Sequence, residues 1–203
     1  KLVARAQGHE DPGELSHPYS EAELTEILAT LRLLLRARDT LARVNAARTE
    51  ADEVQYNLHI MLRFDLERAM IAGDLQVQDL QSAWNERFAA DFGYAVPRAS
   101  LGCLQDVHWS AGLFGYFPTY SLGNVYAGCL FARMTALNPD LDDHLRVGDL
   151  SKATGWLKES LQRHGALNLP RATIAQACGM EPSEAPLLAY LRDKFSDIYD
   201  LSL

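Results

Sequence analysis

Cysteine is scarce in this sequence, and the spacing of its three cysteines does not indicate that any two of them pair. Cys103, Cys129 and Cys178 are odd in number and far apart, and no two of them form a Cys-x-x-Cys motif. Disulfide frameworks and thiolate zinc sites are recognised by paired cysteines at characteristic spacings. Neither is indicated here, and we expect a chain that works in a reducing compartment, the cytoplasm.

An excess of positive charge and long apolar runs are also missing. Nineteen Lys and Arg residues oppose 27 Asp and Glu residues, which gives a formal charge of −8. Nucleic acid or an anionic membrane surface would require a basic face on the protein. No apolar stretch reaches the roughly 20 residues that cross a bilayer. We therefore expect neither nucleic acid nor a membrane as a partner, and a peptide or a small molecule fits better.

Val and Ile are few compared with Leu and Ala, and apolar residues recur at helical spacing along almost the whole chain. This pattern predicts an all-α fold, and 203 residues of which 48% are hydrophobic can fill the core of one domain. Trp84, Phe88 and Phe92 lie at i, i+4 and i+8 of one predicted helix, which ends near Gly93. Further helices are predicted over residues 21–44, 52–72, 119–137, 149–163, 171–177 and 183–196.

Residues 102–120 crowd polar and aromatic side chains onto a backbone that Gly and Pro interrupt. A loop of this kind presents donors to a ligand, so the segment predicts a substrate site. The alternative is a packed corner in which a carboxylate orients an imidazole and the tyrosines are wall residues. The candidate residues are Asp106, His108, Trp109, Tyr116 and Tyr120.

A second candidate group lies on the helix predicted over 52–72. Tyr56, His59 and Arg63 at i, i+3 and i+7 share one stripe of that helix. The stripe is either a polar functional face or part of the core. In the second case His59 forms a hydrogen bond in the interior and Arg63 pairs with a carboxylate such as Glu67.

Two long segments resemble one known family. Residues 48–63 read Arg-Thr-Glu-Ala-Asp-Glu-Val-Gln-Tyr-Asn-Leu-His-Ile-Met-Leu-Arg, similar to its Arg-x-x-Ala-Asp-Glu and His-Ile-x-x-Arg region. Residues 102–109 match its Gly-x-x-Gln-Asp-x-His-Trp signature at every fixed position, and the Gly-Tyr-Phe-Pro-Thr-Tyr of residues 115–120 continues in its style. From about Arg48 to the C-terminus the chain thus resembles the carboxypeptidase Taq family of thermostable metallocarboxypeptidases.

The resemblance implies a mostly helical, neurolysin-like or peptidyl-dipeptidase-like architecture in which this chain forms one wall of a deep peptidase groove. It further implies a homodimer that removes single residues from peptide C-termini with zinc or another divalent metal. By the same resemblance, Arg48 or Arg63 binds the terminal carboxylate of the peptide. His108 with Tyr116 or Tyr120 donates to the oxyanion, and Asp106 sets the imidazole tautomer. His59, Gln105 and Trp109 complete the implied binding residues.

The metal-binding motif of such enzymes is not found in this sequence. His9-Glu10 is followed by Asp-Pro-Gly, and no His-Glu-x-x-His occurs elsewhere. We therefore expect no metal ligand in this chain. The expected organisation is an N-terminal helical segment over 1–47, poorly matched to the family, and a C-terminal portion of a catalytic domain over 48–203, inactive alone. The alternative is a non-catalytic helical module for peptide binding or dimerisation.

Overall fold

The computed structural model describes residues 53–200, and this part of the chain is helical with no strand. It divides into two compact units. The first contains residues 53–122 and 191–200, and the second contains Gly123–Tyr190. The α-helices are α1 (Glu53–Ala72), α2 (Leu80–Phe92), α3 (Pro118–Leu137), α4 (Leu141–Arg146), α5 (Ser151–Ser160), α6 (Pro170–Cys178) and α7 (Ala185–Tyr199).

Helix α1 is the central element of the first unit because it is buried on nearly all sides. Twelve of its 20 residues are buried, and they include polar side chains as well as apolar ones. Ile60 and Phe64 form a core cluster with Phe117, against which aromatic side chains pack. Gly73 follows the last residue at φ +88°, a conformation that glycine adopts without steric cost. The predicted helix over 52–72 is confirmed.

Helix α2 packs through the aromatic stripe that the sequence predicted. Trp84, Phe88 and Phe92 are each at most 1% exposed. The rings of Phe88 and Phe92 stack at 4.2 Å. The helix ends at Gly93, whose left-handed backbone brings its N–H to the carbonyl oxygen of Ala89. The predicted end of this helix is confirmed.

The segment between α2 and α3 carries short turns in place of a long helix. Two 3-10 turns, Ala99–Leu101 and Cys103–Gln105, meet at Gly102. A Cβ on Gly102 would lie 2.9 Å from Cγ1 of Val96, so only glycine fits without movement there. Further along, Gly112 and Gly115 have positive φ values of 73° and 79°. The predicted glycine-interrupted loop is therefore present.

The second unit contains most of α3 together with α4 to α6 and the start of α7. Within it, Gly128 of α3 lies against the backbone of Leu187. Helix α4 was not predicted, since six residues are too few to show a helical period. The helix predicted over 183–196 instead covers Ala185–Tyr199. The helix predicted over 21–44 lies outside the described residues.

The three cysteines are free and buried. No helix among residues 53–200 is both long enough and apolar enough to span a membrane.

Candidate functional site

A buried ion pair joins α1 to the loop that follows the second 3-10 turn. Nε of Arg63 donates to Oδ2 of Asp106 at 2.9 Å, and each side chain is only 1% exposed. Because arginine stays protonated in proteins, this interior charge requires the compensating carboxylate. The pair therefore fixes the beginning of the loop against the helix.

The second oxygen of Asp106 organises the loop backbone. Oδ1 accepts the backbone N–H of His108 at 2.9 Å and that of Trp109 at 3.1 Å. Oδ2 lies 3.6 Å from Nδ1 of His108, which is longer than a hydrogen bond. Asp106 thus orients His108 through the main chain, and the implied hydrogen bond from Asp106 that would set the imidazole tautomer is not formed here.

His108 lies at the centre of an aromatic cluster that it forms with Tyr116, Phe117 and Tyr120. Its side chain connects the loop to α3. Its Nε2 is 3.0 Å from the hydroxyl of Tyr120, so one of the two groups donates to the other. Its ring stacks on Tyr116 with centroids 5.9 Å apart and packs against Phe117 at 4.9 Å. His108 is 6% exposed, whereas Tyr116 is 45% exposed. The cluster therefore runs from the interior to the surface, where a ligand can reach it.

Tyr56 extends this cluster along α1. Its ring meets the ring of Tyr120 edge to face, with centroids 6.2 Å apart. The sequence singled out Tyr56 for its place on the helix stripe, and the structure adds that it supports the tyrosine that contacts His108.

His59 lies in the core and supports Arg63. Its residue exposure is 0%, and its ring packs against Phe92 at 4.7 Å. Nη1 of Arg63 donates to the carbonyl oxygen of His59 at 2.9 Å and lies 3.1 Å from its Nδ1. His59 thus supports Arg63 from the interior, as in the core alternative drawn from the sequence.

Trp84 also stabilises the buried guanidinium. The Cζ atom of Arg63 lies 4.6 Å above the centre of the Trp84 ring, within the range of a cation–π contact. The edge of Trp84 in turn meets Trp109, with centroids 6.1 Å apart. The sequence placed Trp84 on the aromatic stripe of a predicted helix, and that periodic spacing carries no signal for this second contact.

Glu67 binds the far part of the loop and does not pair with Arg63. Its Oε2 accepts the indole N–H of Trp109 at 3.0 Å, and its Oε1 accepts the backbone N–H of Gly115. Burial raises the pKa of the Glu67 carboxyl above its usual value, and these two hydrogen bonds partly oppose that rise. The core alternative expected Arg63 to pair with a carboxylate such as Glu67. The structure has the carboxylate pairing, but the partner is Asp106 and not Glu67.

Gln105 contributes to the turn before the loop. Its side-chain Nε2 donates to the carbonyl oxygen of Leu101 at 2.9 Å. Arg48, the remaining candidate binding residue, lies outside the described residues. The structure thus brings together His59, Arg63, Asp106, His108, Trp109, Tyr116 and Tyr120.

Over residues 53–200, no three or more His, Cys, Asp and Glu side chains are arranged to hold a metal ion. The carboxylates of this network, Asp106 and Glu67, already bind Arg63, the Trp109 indole and backbone N–H groups. A catalytic metal does not fit the residues that form this cluster.

Comparison with known proteins identifies the family. Residues 30–195 match the family model described as Carboxypeptidase Taq (M32) metallopeptidase. The chain belongs to the carboxypeptidase Taq family. It is 41% identical over 152 residues to thermostable carboxypeptidase 1 of Thermus thermophilus and 39% identical over 152 residues to carboxypeptidase 1 of Bacillus subtilis. Each alignment covers 75% of this chain.

Solved structures of family members share the fold. The M32 carboxypeptidase from Deinococcus radiodurans aligns with a TM-score of 0.74 and 36% identity over 86% of this chain and 40% of that one. The Pyrococcus furiosus carboxypeptidase aligns with a TM-score of 0.73 and 32% identity over 76% of this chain and 31% of that one. The predicted all-α class is confirmed. The chain spans about 30% of the length of the curated relatives it matches.

Proposed function

We propose that this chain forms one wall of the substrate groove of a metallocarboxypeptidase that removes single residues from peptide C-termini. The observation that carries the proposal is the connected set of His108, Tyr120 and Tyr116, which reaches the surface on a loop fixed by the Arg63–Asp106 pair. Membership of the carboxypeptidase Taq family supports this use of the cluster.

The groups assigned to the tetrahedral oxyanion are His108 with Tyr116 or Tyr120. Nε2 of His108 and the hydroxyl of Tyr120 share one hydrogen bond, so when the imidazole donates to the hydroxyl, the hydroxyl proton is the one that this pair presents to the oxyanion. Hydrolysis of a peptide bond places negative charge on the former carbonyl oxygen, and fixed donors in a partly buried site stabilise that charge strongly. The hydrogen bond between Nε2 of His108 and the Tyr120 hydroxyl holds the imidazole in place. Stacking on Tyr116 fixes the plane of the His108 ring. Asp106 keeps the supporting backbone in place.

Recognition of the free C-terminus requires a cation, and guanidinium suits a carboxylate because it can donate two parallel hydrogen bonds. Arg48 and Arg63 are the two candidates from the sequence. Nε and Nη1 of Arg63 already serve Asp106 and His59. Arg63 therefore acts by holding the loop, and Arg48 is the better candidate for the direct contact.

In the complete enzyme, a bound divalent metal, zinc or another, would supply the activation of the attacking water. Residues 53–200 supply no ligand set for it. We therefore assign to this chain the binding and orientation of the peptide, and we expect the 203-residue chain to be inactive alone. Homodimerisation and a cytoplasmic location belong to the same proposal.

A second function has one observation in its favour. The sequence contains no His-Glu-x-x-His, and the described residues form no metal cluster. A helical module that binds peptides or dimerises, with no hydrolytic activity, would retain the same loop and need no metal.

The decisive experiment compares the full-length gene product with the 203-residue chain in one assay on a blocked dipeptide with a free C-terminus. We expect hydrolysis by the full-length protein, loss of hydrolysis after chelation, recovery with added Zn²⁺, and no hydrolysis by the 203-residue chain. If the mature gene product has the mass of 203 residues, holds no metal and binds the dipeptide without cleaving it, the second function is correct.

A further inference from the structure

Glu67 occupies an unusual position for a carboxylate. It lies on the fifth turn of α1, is only 2% exposed, and faces the loop that carries the candidate site. A buried carboxylate is costly unless hydrogen bonds compensate for lost solvation. Here both oxygens are used, one by the indole of Trp109 and the other by the backbone of Gly115.

These two contacts lie at opposite ends of one loop. Trp109 directly follows His108, and Gly115 directly precedes Tyr116. Each hydrogen bond to Glu67 is thus one residue away from a side chain of the aromatic cluster. Gly112, between these ends, and Gly115 itself adopt positive φ, and glycine gives the backbone of this loop additional conformational freedom.

We propose that Glu67 is a positioning residue that clamps both ends of the 108–116 loop and so fixes His108 and Tyr116 relative to each other. The proposal rests on the proposed function for its catalytic consequence, but the clamp itself is a structural property. Asp106 fixes only the start of the loop, through the N–H groups of His108 and Trp109. Glu67 adds the second fixed end.

The chemistry of the clamp requires a carboxylate. An ionised carboxyl accepts hydrogen bonds on both oxygens, whereas an amide of the same shape offers one acceptor and one NH₂ donor. Glu67→Gln therefore cannot satisfy the Trp109 indole and the Gly115 N–H together. One of the two donors faces another donor, and that end of the loop is released.

The test compares Glu67→Gln with Asp65→Asn. Asp65 lies on the same helix and pairs with Arg87, 2.8 Å away, so its variant also loses a charge from α1 without touching the loop. In ¹⁵N-edited NMR spectra of the chain, we expect the Trp109 indole or the Gly115 amide proton to shift upfield in Glu67→Gln and neither to shift in Asp65→Asn. Unchanged resonances in Glu67→Gln, or equal shifts in both variants, would overturn the clamp.

The catalytic consequence is read in the full-length protein. We expect Glu67→Gln to lower kcat/KM about 10-fold to 100-fold, mainly through kcat, because displaced donors miss the transition state more than the bound substrate. If Glu67→Gln lowers kcat/KM no more than Asp65→Asn does, the catalytic consequence of the clamp is contradicted. If wild type does not hydrolyse peptides, the proposed function fails. The clamp is still tested by the Trp109 indole and Gly115 amide resonances.

A second measurement needs no variant and applies even if Glu67→Gln does not fold. In the wild-type chain, the Trp109 indole proton and the Gly115 amide proton contact the same carboxyl group. We expect both resonances to move with pH at one common midpoint. Different midpoints, or no movement in either, would overturn the proposal. Asp106 is the other carboxylate whose charge reaches Glu67, and it accepts the backbone N–H of Trp109, so the indole proton of Trp109 and not its backbone amide is the one to follow.

Discussion

Nε of Arg63 and Oδ2 of Asp106 are 2.9 Å apart across 43 residues of sequence, and both side chains are almost fully buried. This ion pair determines where the loop leaves the helical core. The backbone N–H groups that bind the other oxygen of Asp106 belong to His108 and Trp109. One buried pair thus connects the interior of α1 to the buried end of a cluster that reaches the surface at Tyr116.

Removal of the Asp106 charge tests how much this pair contributes to stability. Asp106→Asn leaves the buried guanidinium of Arg63 without its counter-ion, so we expect the free energy of unfolding to fall by about 3 to 5 kcal/mol. Chemical denaturation measures it. Asp143→Asn is the matched control, because its pair with Arg146 is more than 70% exposed on both sides and should contribute less than about 1 kcal/mol. Equal losses would show that the Arg63–Asp106 pair is not held in a dry interior.

The buried carboxyl of Glu67 predicts a pH dependence with a definite sign. Burial raises its folded-state pKa above the unfolded value near 4.5, so the folded chain binds more protons than the unfolded chain between those two pKa values. The free energy of unfolding of wild type minus that of Glu67→Gln should therefore decrease as the pH rises from 4.5 through the folded pKa. Urea titrations at several pH values measure this difference. A difference that grows over that range would mean that the pKa is lowered.

Two glycines of α3 should respond to alanine in opposite ways. A Cβ on Gly128 would lie 2.9 Å from backbone atoms of Leu187, whereas a Cβ on Gly123 meets nothing within 4 Å. We expect Gly128→Ala to lower the free energy of unfolding by about 1 to 3 kcal/mol, because backbone must move. Gly123→Ala should raise it by up to about 1 kcal/mol through helix propensity. Thermal or chemical unfolding of both variants measures this contrast, and equal effects would show that α3 and Leu187 are not in contact.

Loss of the Tyr120 hydroxyl should affect both stability and activity. Tyr120→Phe removes the 3.0 Å contact with Nε2 of His108, so we expect a loss of about 1 kcal/mol in unfolding free energy. In the full-length protein, kcat/KM should fall about 10-fold to 100-fold, because the imidazole loses its partner. Tyr199→Phe, on α7, is the control and should leave kcat/KM unchanged. A normal kcat/KM in Tyr120→Phe would remove Tyr120 from the site.

Local sequence signals predicted the elements that frame the site. Gly73 and Gly93 end helices where the apolar period stops, because a left-handed backbone residue terminates a helix readily. The aromatic stripe of α2 is buried at every predicted position. These features depend on neighbours within one or two turns, which a single sequence displays directly.

The partners of the buried charges could not be predicted in the same way. Helical spacing favours Glu67 as the partner of Arg63, since the two lie at i and i+4. The structure pairs Arg63 with Asp106 and leaves Glu67 to Trp109 and Gly115, contacts that span 42 to 48 residues. Such choices depend on how the loop folds back on α1, and no local pattern encodes that geometry.

The most direct test of the central claim is the activity of His108→Ala in the full-length gene product, measured on matched peptides with free and amidated C-termini. The account predicts that wild type cleaves only the free peptide and that His108→Ala lowers kcat/KM about 100-fold to 1,000-fold while remaining folded. His144→Ala, which removes an imidazole paired with Asp149 in the second unit, should retain wild-type activity. Wild-type activity in His108→Ala, or equal cleavage of the amidated peptide, would contradict the account.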